Sequence, residues 1–243
     1  IWQSKKAVIV GKHQNVWNEY DYKTAIEKEV SVARRITGGG AVYQDAGNVN
    51  FSFISSKDAY NLDLNFAVLL DALKKFGIDA KRNIKNDILV DGKKVSGSSF
   101  CVKKRGVLHH ASLLVNTDIP LLKRILKPSF EFIESHGVKS DRVEVTNIGG
   151  LSRIATISRV IQLVSEEFSQ LHDTPKKILK NPEHLTLQSV QSEYNELSDK
   201  SWVYGRNPFW SVFPSDDVPD NTLLKSITPM KKNYHSGLAY HRH

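Results

Sequence analysis

Apolar residues in the first third of the chain recur in short runs that are typical of strands. Residues 6–11 form an apolar run that ends in a glycine turn. Two further strands are predicted at residues 41–43 and 49–54, and the residues that join them, Asp45-Ala46-Gly47-Asn48, have hairpin chemistry. Between the run at residues 6–11 and the strand at residues 41–43, residues 22–30 match a short helix. We therefore expect a strand-rich N-terminal third.

The pattern changes to helical spacing after residue 61. Apolar residues on one face predict a helix over residues 62–76, with Gly77 as its C-cap. A three-stranded meander is predicted next, over residues 88–90, 94–102 and 107–116, and its first turn is the two-residue hairpin signal Asp91-Gly92. Two more helices are predicted at residues 121–126 and 157–171. The tail from Pro214 has no pattern to which we can assign a core role.

Three consecutive glycines, Gly38, Gly39 and Gly40, form the most unusual stretch of the chain. Such a run is costly in backbone entropy, and it is retained where φ must be positive or where a ligand must approach the main chain. Arg34 and Arg35 lie just upstream and carry guanidinium groups suited to phosphate or carboxylate. The stretch lacks the P-loop and dinucleotide patterns. We predict a phosphate-cradling turn, and the alternative is a glycine hairpin with surface arginines.

Lys94 is the candidate for electrophilic chemistry. It lies at the start of a predicted strand whose next residues, Ser96, Gly97 and Ser98, are small enough to leave room for a ligand. An ammonium group there could stabilise negative charge on a carbonyl or phosphate oxygen. The alternative is a solvated turn lysine, and we assign that role to its neighbour Lys93.

Two adjacent histidines occur in the third strand of the meander. Neighbouring strand residues point to opposite faces, so His109 and His110 cannot both serve one site. His110 shares its face with Ser112 and Asn116, whereas His109 shares its face with apolar residues. This difference favours His110 as the site residue, and the pair alone does not make a zinc site.

Composition limits the class of protein. The 243 residues are 40% hydrophobic and 25% charged, which is ordinary for a globular chain that can bury a core. The longest apolar runs are far shorter than a membrane span. The single cysteine, Cys101, excludes an internal disulfide framework. A net charge of +8 favours an acidic partner, and the scattered basic residues do not form a nucleic-acid reading motif. An acidic protein or a nucleotide fits this charge as well as DNA or RNA does. We expect no membrane partner and, of these acidic partners, no nucleic acid.

Taken together, four motifs resemble the lipoate-protein ligase and lipoyltransferase family. They are residues 10–15 (VGKHQN), 34–48 (RRITGGGAVYQDAGN), 86–87 (ND) followed by 94–98 (KVSGS), and 109–114 (HHASLL). They stand in the order of the family, and the resemblance spans about residues 2–146, with a weaker match at 202–209. The first residue is Ile1, so targeting cannot be read from this chain.

The resemblance implies an α/β (α+β) fold with a mixed, largely antiparallel sheet and flanking helices, shared with biotin protein ligases and class II synthetase cores. Residues 1–185 would form the catalytic domain, and residues 186–243 a linker and truncated C-terminal remnant. The implied reaction consumes lipoate and ATP with Mg²⁺ to give lipoyl-AMP, and a lysine of a lipoyl domain then displaces AMP. The implied acceptors are the E2 subunits of 2-oxoacid dehydrogenases and the H protein of glycine cleavage. A mitochondrial location is expected, with bacterial cytoplasm as the alternative.

The same resemblance implies roles for particular residues. Lys94 matches the lysine that contacts the acyl carbonyl and a phosphate oxygen, and Asp87 would lie near the adenylate or its Mg²⁺. His110 would border the acyl tunnel. The other residues expected to bind lipoyl-AMP or ATP are Arg35, Thr37, Gly38, Gly39, Gly40, Gln44, Asn86, Ser96, Gly97 and Ser98.

The sequence also departs from the family pattern. Gln44 stands where many members have histidine, Ala111 where glycine is usual, and Cys101 where some ligases have arginine. Only 41 residues follow Trp202, too few for the accessory domain of many ligases. Three alternatives to an ATP-dependent ligase therefore stay open. They are a transferase that uses a preformed acyl donor, a thioester enzyme with Cys101 as nucleophile, and a non-catalytic module that binds lipoyl domains or nucleic acid.

Overall fold

The computed structural model describes residues 1–104, 106–129, 133–173 and 187–212. The chain forms two compact units, each assembled from separated segments. Unit 1 is made of Ile1–Ala7, Tyr43–Lys123 and Asp141–Leu187, and unit 2 is made of Val8–Val42, Arg124–Ser140 and Gln188–His243. The domain boundary expected near residue 185 lies outside the described residues and stays a prediction.

Strands and helices occur in groups along the described part of the chain. The strands are β1 (Ala7–Val10), β2 (Ser31–Arg34), β3 (Val42–Gln44), β4 (Asn48–Ser55), β5 (Lys81–Arg82), β6 (Ile88–Val90), β7 (Lys93–Lys103), β8 (Gly106–Leu114), β9 (Ile133–Ser135) and β10 (Trp210–Val212). The helices are α1 (Tyr22–Glu27), α2 (Leu62–Lys75), α3 (Ile119–Ile125), α4 (Ile157–Leu171), α5 (Gln188–Ser198) and α6 (Lys200–Gly205). Single turns of 3₁₀ helix occur at Val16–Asn18 and Ile148–Gly150.

A five-stranded antiparallel sheet in the order β4-β8-β7-β6-β5 dominates unit 1. One face of this sheet packs against α2 and α4. Buried residues of both helices join inward residues of the strands in one core, which includes Val49, Phe51, Phe66, Leu69, Val95, Leu113, Val160 and Leu163. This arrangement confirms the α+β fold class and the predicted meander. The Asp91-Gly92 turn has φ values of 48° and 77°, as a tight hairpin requires.

The opposite face of the same sheet is polar in its central part. Directly opposed residues of antiparallel strands share a face, and His110 lies opposite both Ser52 and Ser99. Ser112 lies opposite Asn50 and Gly97 in the next row. We name this surface the polar face of the sheet. The alternation of strand residues therefore separates an apolar core from a surface on which polar chemistry can take place.

His109 lies on the core face and is fully buried. Its ring stacks on Phe100 and Phe53, with centroid distances of 4.6 and 5.3 Å. Nε2 lies 3.0 Å from Ser98 Oγ, and Nδ1 lies 3.4 Å from Asn65 Nδ2. Burial, aided by the nearby charges of His110 and Arg82, lowers the pKa of His109 from 6.5 to about 4. His109 therefore points into the core, as strand alternation predicts, and the role of His110 as a site residue stays a prediction.

The depressed pKa of His109 predicts a loss of stability in mild acid. Between pH 6.5 and about pH 4, His109 is protonated in the unfolded chain but stays neutral in the native state. Stability from this group is therefore lost as the pH falls below the unfolded value, by about 2 kcal/mol from about pH 8 to about pH 5. Urea unfolding at both pH values measures it. In His109→Gln this loss should be absent. The control His13→Gln, at an exposed site, should retain it. An equal change in the free energy of unfolding between the two pH values in the wild type and both variants would refute the claim.

Unit 2 is organised around the buried side chain of Arg34, which is 3% exposed. Its Nε donates to the carbonyls of Trp202 and Val203 at 3.2 and 3.0 Å, and Nη1 donates to those of Gly11 and Gln14 at 3.0 and 2.8 Å. The interpretation of Arg34 as an anion-binding fork is therefore wrong. The guanidinium instead satisfies main-chain carbonyls from separate segments of this unit.

Most predicted elements agree with the structure to within two residues, and α4 agrees at both ends. The helix predicted over residues 22–30 is shorter, because α1 ends at Glu27 and Glu29 adopts a positive φ of 53°. The helix predicted from residue 121 begins earlier, at Ile119. The tail from residue 214 lies outside the described residues. None of the described helices has the length and apolarity that a membrane crossing requires.

Candidate functional site

The triglycine loop, defined as Gly38, Gly39 and Gly40 in unit 2, is held from inside by Arg35. The Nη2 of Arg35 donates to the carbonyls of Gly38 at 2.5 Å and Gly40 at 2.7 Å. Nε donates to Thr37 Oγ1 at 3.1 Å, and Nη1 donates to the carbonyl of Ile9 at 3.0 Å. Burial lowers the pKa of Arg35 to about 10, which still leaves the guanidinium charged at neutral pH. The loop is thus pinned by its carbonyl groups.

This pinning orients the N–H group of Gly39. A peptide unit is planar, and its N–H points opposite to its carbonyl. The carbonyl of Gly38 faces Arg35, so the N–H of Gly39 points away from the guanidinium. Within the described part of the chain, the N–H groups of Gly38, Gly39 and Gly40 donate to no protein acceptor. Successive N–H donors on a loop of this kind make an anion-binding concavity.

Close approach of two backbone segments explains the glycine of the turn after the first strand. Gly11 follows β1 and lies directly against the triglycine loop. A Cβ added at Gly11 would lie only 2.0 Å from the carbonyl oxygen of Gly39. Gly39 itself has a φ of 86°. Both positions therefore require glycine, Gly11 for space and Gly39 for its backbone conformation.

Lys94 in unit 1 is held by main-chain bonds on both sides. On one side it pairs with Leu89 of β6 at a β-bulge. On the other side its N–H donates to the carbonyl of Glu144 at 2.8 Å, and its carbonyl accepts from the N–H of Thr146 at 3.0 Å. The backbone of Lys94 is therefore fixed before the side chain makes any contact.

The side chain of Lys94 lies across the polar face of the sheet and ends on a carboxylate. Its Nζ is 2.7 Å from Asp87 Oδ1, and the two side chains are 26% and 12% exposed. A Cβ added at Gly97 would lie 2.8 Å from Cε and 2.9 Å from Nζ of Lys94. Gly97 thus provides the space in which the ammonium rests. By contrast, Lys93 is more exposed and pairs with Glu144 at 3.1 Å, as its surface role predicts.

The variant Gly97→Ala tests whether Gly97 provides the space for the ammonium of Lys94. The added methyl group would be too close only to the flexible end of Lys94, with Asp87 Oδ1 at an ordinary 3.7 Å, so we expect the free energy of unfolding to stay nearly constant. The ammonium must move, and such a misplacement should slow any reaction that depends on this group by about 10-fold or more. Single-turnover rates and urea unfolding measure the two effects. Gly150→Ala, where an added Cβ meets no atom within 4 Å, is the matched control. A Gly97→Ala rate equal to that of the wild type would contradict the assignment.

Asp87 is positioned by a tight turn between β5 and β6. Its N–H donates to Asn83 Oδ1 at 2.9 Å, and its carbonyl accepts from the N–H of Asn83 at 2.9 Å. Asn86 adopts a positive φ of 63°. Its Oδ1 accepts from Nε and Nη2 of Arg82 at 2.9 and 2.7 Å. Asn86 therefore has a structural role that accounts for its identity, and a direct contact with the adenylate stays a prediction.

The remaining predicted site residues lie on both faces of the five-stranded sheet and, for Gln44, on β3. His110 lies on the polar face, and its Nδ1 is 3.0 Å from Ser52 Oγ. Ser96 lies opposite the core residue Leu113, and Ser98 Oγ contacts buried His109, so both side chains point to the core face. Ligand binding by these two serines would have to use their main chain, and it stays a prediction. Gln44 is buried, and its Nε2 donates to Asn50 Oδ1 at 2.9 Å.

The fit of a magnesium ion depends on how many protein ligands the site offers. The described residues contain no group of three or more histidine, cysteine or acidic side chains that could hold a metal ion. Asp87 supplies one carboxylate, which now pairs with Lys94. Mg²⁺ is often held by one carboxylate together with substrate phosphates and water. Asp87 therefore fits as a single ligand of a nucleotide-borne Mg²⁺.

Comparison with known proteins identifies the class to which this fold and these residues belong. The sequence model of the lipoyl protein ligase A/B catalytic domain matches residues 1–169. The chain belongs to this family.

Individual relatives include both ligases and a transferase. The chain is 33% identical over 215 residues to lipoate-protein ligase A of Bdellovibrio bacteriovorus, a match that covers 84% of this chain and 62% of the relative. It is 32% identical to the human mitochondrial lipoyl amidotransferase LIPT1, over 90% of this chain and 60% of the relative. The crystal structure of P. falciparum LipL1 in complex with lipoate superposes with a TM-score of 0.73 at 33% identity, covering 85% of this chain and 61% of that one. This chain thus spans about three fifths of each relative's length.

Proposed function

We propose that this chain transfers a lipoyl or octanoyl group from an acyl-adenylate to the ε-amine of a lysine on a lipoyl-domain protein. The observation that carries the proposal is the ammonium of Lys94, which rests on Asp87 over Gly97 on the polar face of the sheet. Membership of the lipoyl protein ligase A/B family and the names of the relatives support the substrate class.

The chemistry of this transfer needs charge stabilisation more than it needs a protein nucleophile. The acceptor amine attacks the acyl carbon, an amide bond forms, and the bond between that carbon and the phosphate oxygen breaks. AMP leaves with the electron pair, and the amine loses its proton to solvent. Negative charge develops on the carbonyl oxygen and on the leaving phosphate. An ammonium at that position stabilises both, and this is the role that we assign to Lys94.

We also propose that the triglycine loop of unit 2 binds phosphate. The N–H of Gly39 is oriented by Arg35, and main-chain donors of this kind bind phosphate without reorganising. Thr37 is 1% exposed and accepts from Arg35, so we assign it to the support of the loop. Arg35, Gly38, Gly39 and Gly40 are thus proposed to act on the phosphate of the acyl-adenylate, with Arg35 acting through the loop.

Asp87 would hold the ammonium in place before the ligand arrives. A carboxylate at 2.7 Å keeps a flexible lysine in one conformation and lowers the entropy that binding must remove. Asp87 would also supply one oxygen ligand to a nucleotide-bound Mg²⁺, which would neutralise phosphate charge during activation of lipoate.

We further propose that the chain forms the acyl-adenylate itself from lipoate and ATP, as an ATP-dependent lipoate-protein ligase. The relatives named lipoate-protein ligase support this proposal. The second candidate is a transferase that uses a preformed donor such as acyl-AMP, acyl-CoA or a lipoylated protein. The human lipoyl amidotransferase, which matches 90% of this chain, favours that candidate.

One reconstitution experiment separates these candidates. The protein is incubated with an apo lipoyl domain and with one of three donors, and intact-mass spectrometry detects the added acyl group. The donors are lipoate with ATP and Mg²⁺, synthetic lipoyl-AMP, and a lipoylated H protein. Product from the mixture of lipoate, ATP and Mg²⁺ supports the ligase. Product only with lipoyl-AMP or only with lipoylated protein supports a transferase, and no product from any of the three donors contradicts the proposed transfer from an acyl-adenylate.

Cys101 tests the thioester alternative in the same assay. It is a free thiol on β7, opposite Leu108. The proposed mechanism uses no covalent enzyme intermediate, so Cys101→Ala should transfer acyl groups at the wild-type rate. Loss of transfer in this variant would favour the thioester route.

The acceptor and the location follow from the same proposal. E2 subunits of 2-oxoacid dehydrogenases and the glycine cleavage H protein are the proposed partners, and the net charge of +8 would steer an acidic domain towards the enzyme. The relatives include a bacterial and a mitochondrial protein, and we propose the mitochondrion as the location.

A further inference from the structure

Ser140 in unit 2 contacts the end of the triglycine loop. Its Oγ accepts from the N–H of Ala41 at 2.8 Å. The carbonyl of the same peptide unit, that of Gly40, accepts from Nη2 of Arg35 at 2.7 Å. The peptide between Gly40 and Ala41 is therefore held at both ends by side chains. A planar unit fixed at both ends has no freedom to flip.

The hydroxyl of Ser140 has all of its hydrogen-bonding capacity in use. Besides Ala41, it accepts from Nε2 of Gln14 at 3.0 Å, and its proton is donated to Oε2 of Glu19 in a short hydrogen bond. A serine hydroxyl has one donor and two acceptor sites. Because the carboxylate can only accept, Glu19 draws the proton and leaves both lone pairs for N–H groups. Glu19 is 6% exposed and Gln14 is fully buried, so water competes weakly for these bonds.

Gln14 extends the same network to the other side of the loop. Its Oε1 accepts from the N–H of Gly11 at 2.8 Å, and Gly11 is the residue whose missing Cβ admits the carbonyl of Gly39. A Cβ added at Gly40 would lie 3.0 Å from Ser140 Oγ, so the serine packs directly on the loop. The network thus reaches both backbone segments that shape the loop.

We infer that Ser140, oriented by Glu19, is a positioning residue that sets the triglycine loop for the phosphate of the acyl donor. This inference rests on the proposed function, because it assigns the loop to an acyl-adenylate. Ser140 acts through the main chain of Gly40 and Ala41. Its loss should weaken ligand binding more than it changes the chemical step, since the reacting groups stay in place.

Two measurements test the inference with three variants. Ser140→Ala removes the hydroxyl, Ser140→Thr retains it, and Ser135→Ala is the matched control. Ser135 lies in the same segment, and its Oγ accepts from the N–H of Gly137 at 3.1 Å. The first measurement is amide hydrogen exchange of Ala41 in the ligand-free protein. The second is the Kd of a non-hydrolysable sulfamoyl analogue of lipoyl-AMP, together with KM and kcat for lipoyl-AMP.

We expect faster exchange at Ala41 in Ser140→Ala, a Kd and KM raised by about 10-fold, and a kcat close to that of the wild type. Ser140→Thr should restore both readings, and Ser135→Ala should not change them. Unchanged exchange at Ala41, or accelerated exchange with an unchanged Kd, would overturn the inference. If the wild type fails to bind the analogue, the proposed function fails, and exchange at Ala41 alone then decides whether Ser140 positions the loop.

Discussion

Lys94→Met should lose acyl transfer from lipoyl-AMP by about 100- to 1,000-fold, the range expected when a main electrostatic group of a transition state is removed. The side chain keeps its length and its apolar stem but loses the charge. Since Lys94 is fixed by its backbone bonds to Glu144 and Thr146, the strand should stay in place. Single-turnover transfer to an apo lipoyl domain measures the effect.

Removal of the lysine leaves the carboxylate of Asp87 without this partner, so two controls are needed. The double variant Asp87→Asn/Lys94→Met removes both charges, and it should be as inactive as Lys94→Met with unfolding stability nearer to that of the wild type. Lys93→Met removes the neighbouring, more exposed lysine, and it should transfer at close to the wild-type rate. Equal losses in Lys93→Met and Lys94→Met would indicate a general effect of charge and contradict a specific role for Lys94.

Gly11→Ala should have the second largest effect. The new Cβ would lie 2.0 Å from the carbonyl oxygen of Gly39, and this neighbour is backbone and cannot rotate away. The triglycine loop must therefore shift by about an ångström, which is enough to slow transfer by about 100-fold. Overpacking of this kind should also lower the free energy of unfolding by about 1–3 kcal/mol. Stopped-flow transfer and urea denaturation measure the two quantities.

Gly38→Ala is the stability control for this prediction. A Cβ added at Gly38 meets no atom within 4 Å, so its free energy of unfolding should stay within about 0.5 kcal/mol of the wild type. If Gly11→Ala is as stable as Gly38→Ala and retains full transfer activity, the close approach of the two segments does not matter for function.

Much of unit 1 could be predicted from the sequence because its patterns are regular. The helical spacing over residues 62–76 and 157–171 comes from burial of one helix face, and α2 and α4 follow it closely. The Asp91-Gly92 turn has backbone angles that few other residue pairs adopt readily. The early end of α1 was not predictable from apolar spacing, because Glu29 takes a positive φ that its residue type does not announce.

The candidate site was predictable where chemistry and strand alternation agree. Alternation separated His110 from His109, and small residues after Lys94 indicated space for its side chain. Arg34 was assigned wrongly because the sequence cannot show that carbonyls from distant segments surround its guanidinium. Ser140 gave no local signal and Gly11 indicated only a turn, since their roles depend on contacts across 99 and 28 residues of chain.

The central claim is that the ammonium of Lys94 acts on the acyl group and phosphate of an acyl-adenylate. A crystal structure of the protein with the sulfamoyl analogue of lipoyl-AMP measures this directly. We predict that Nζ of Lys94 lies within about 3.2 Å of the acyl carbonyl oxygen or a sulfamoyl oxygen. A bound analogue that makes no contact with Lys94 would contradict this claim.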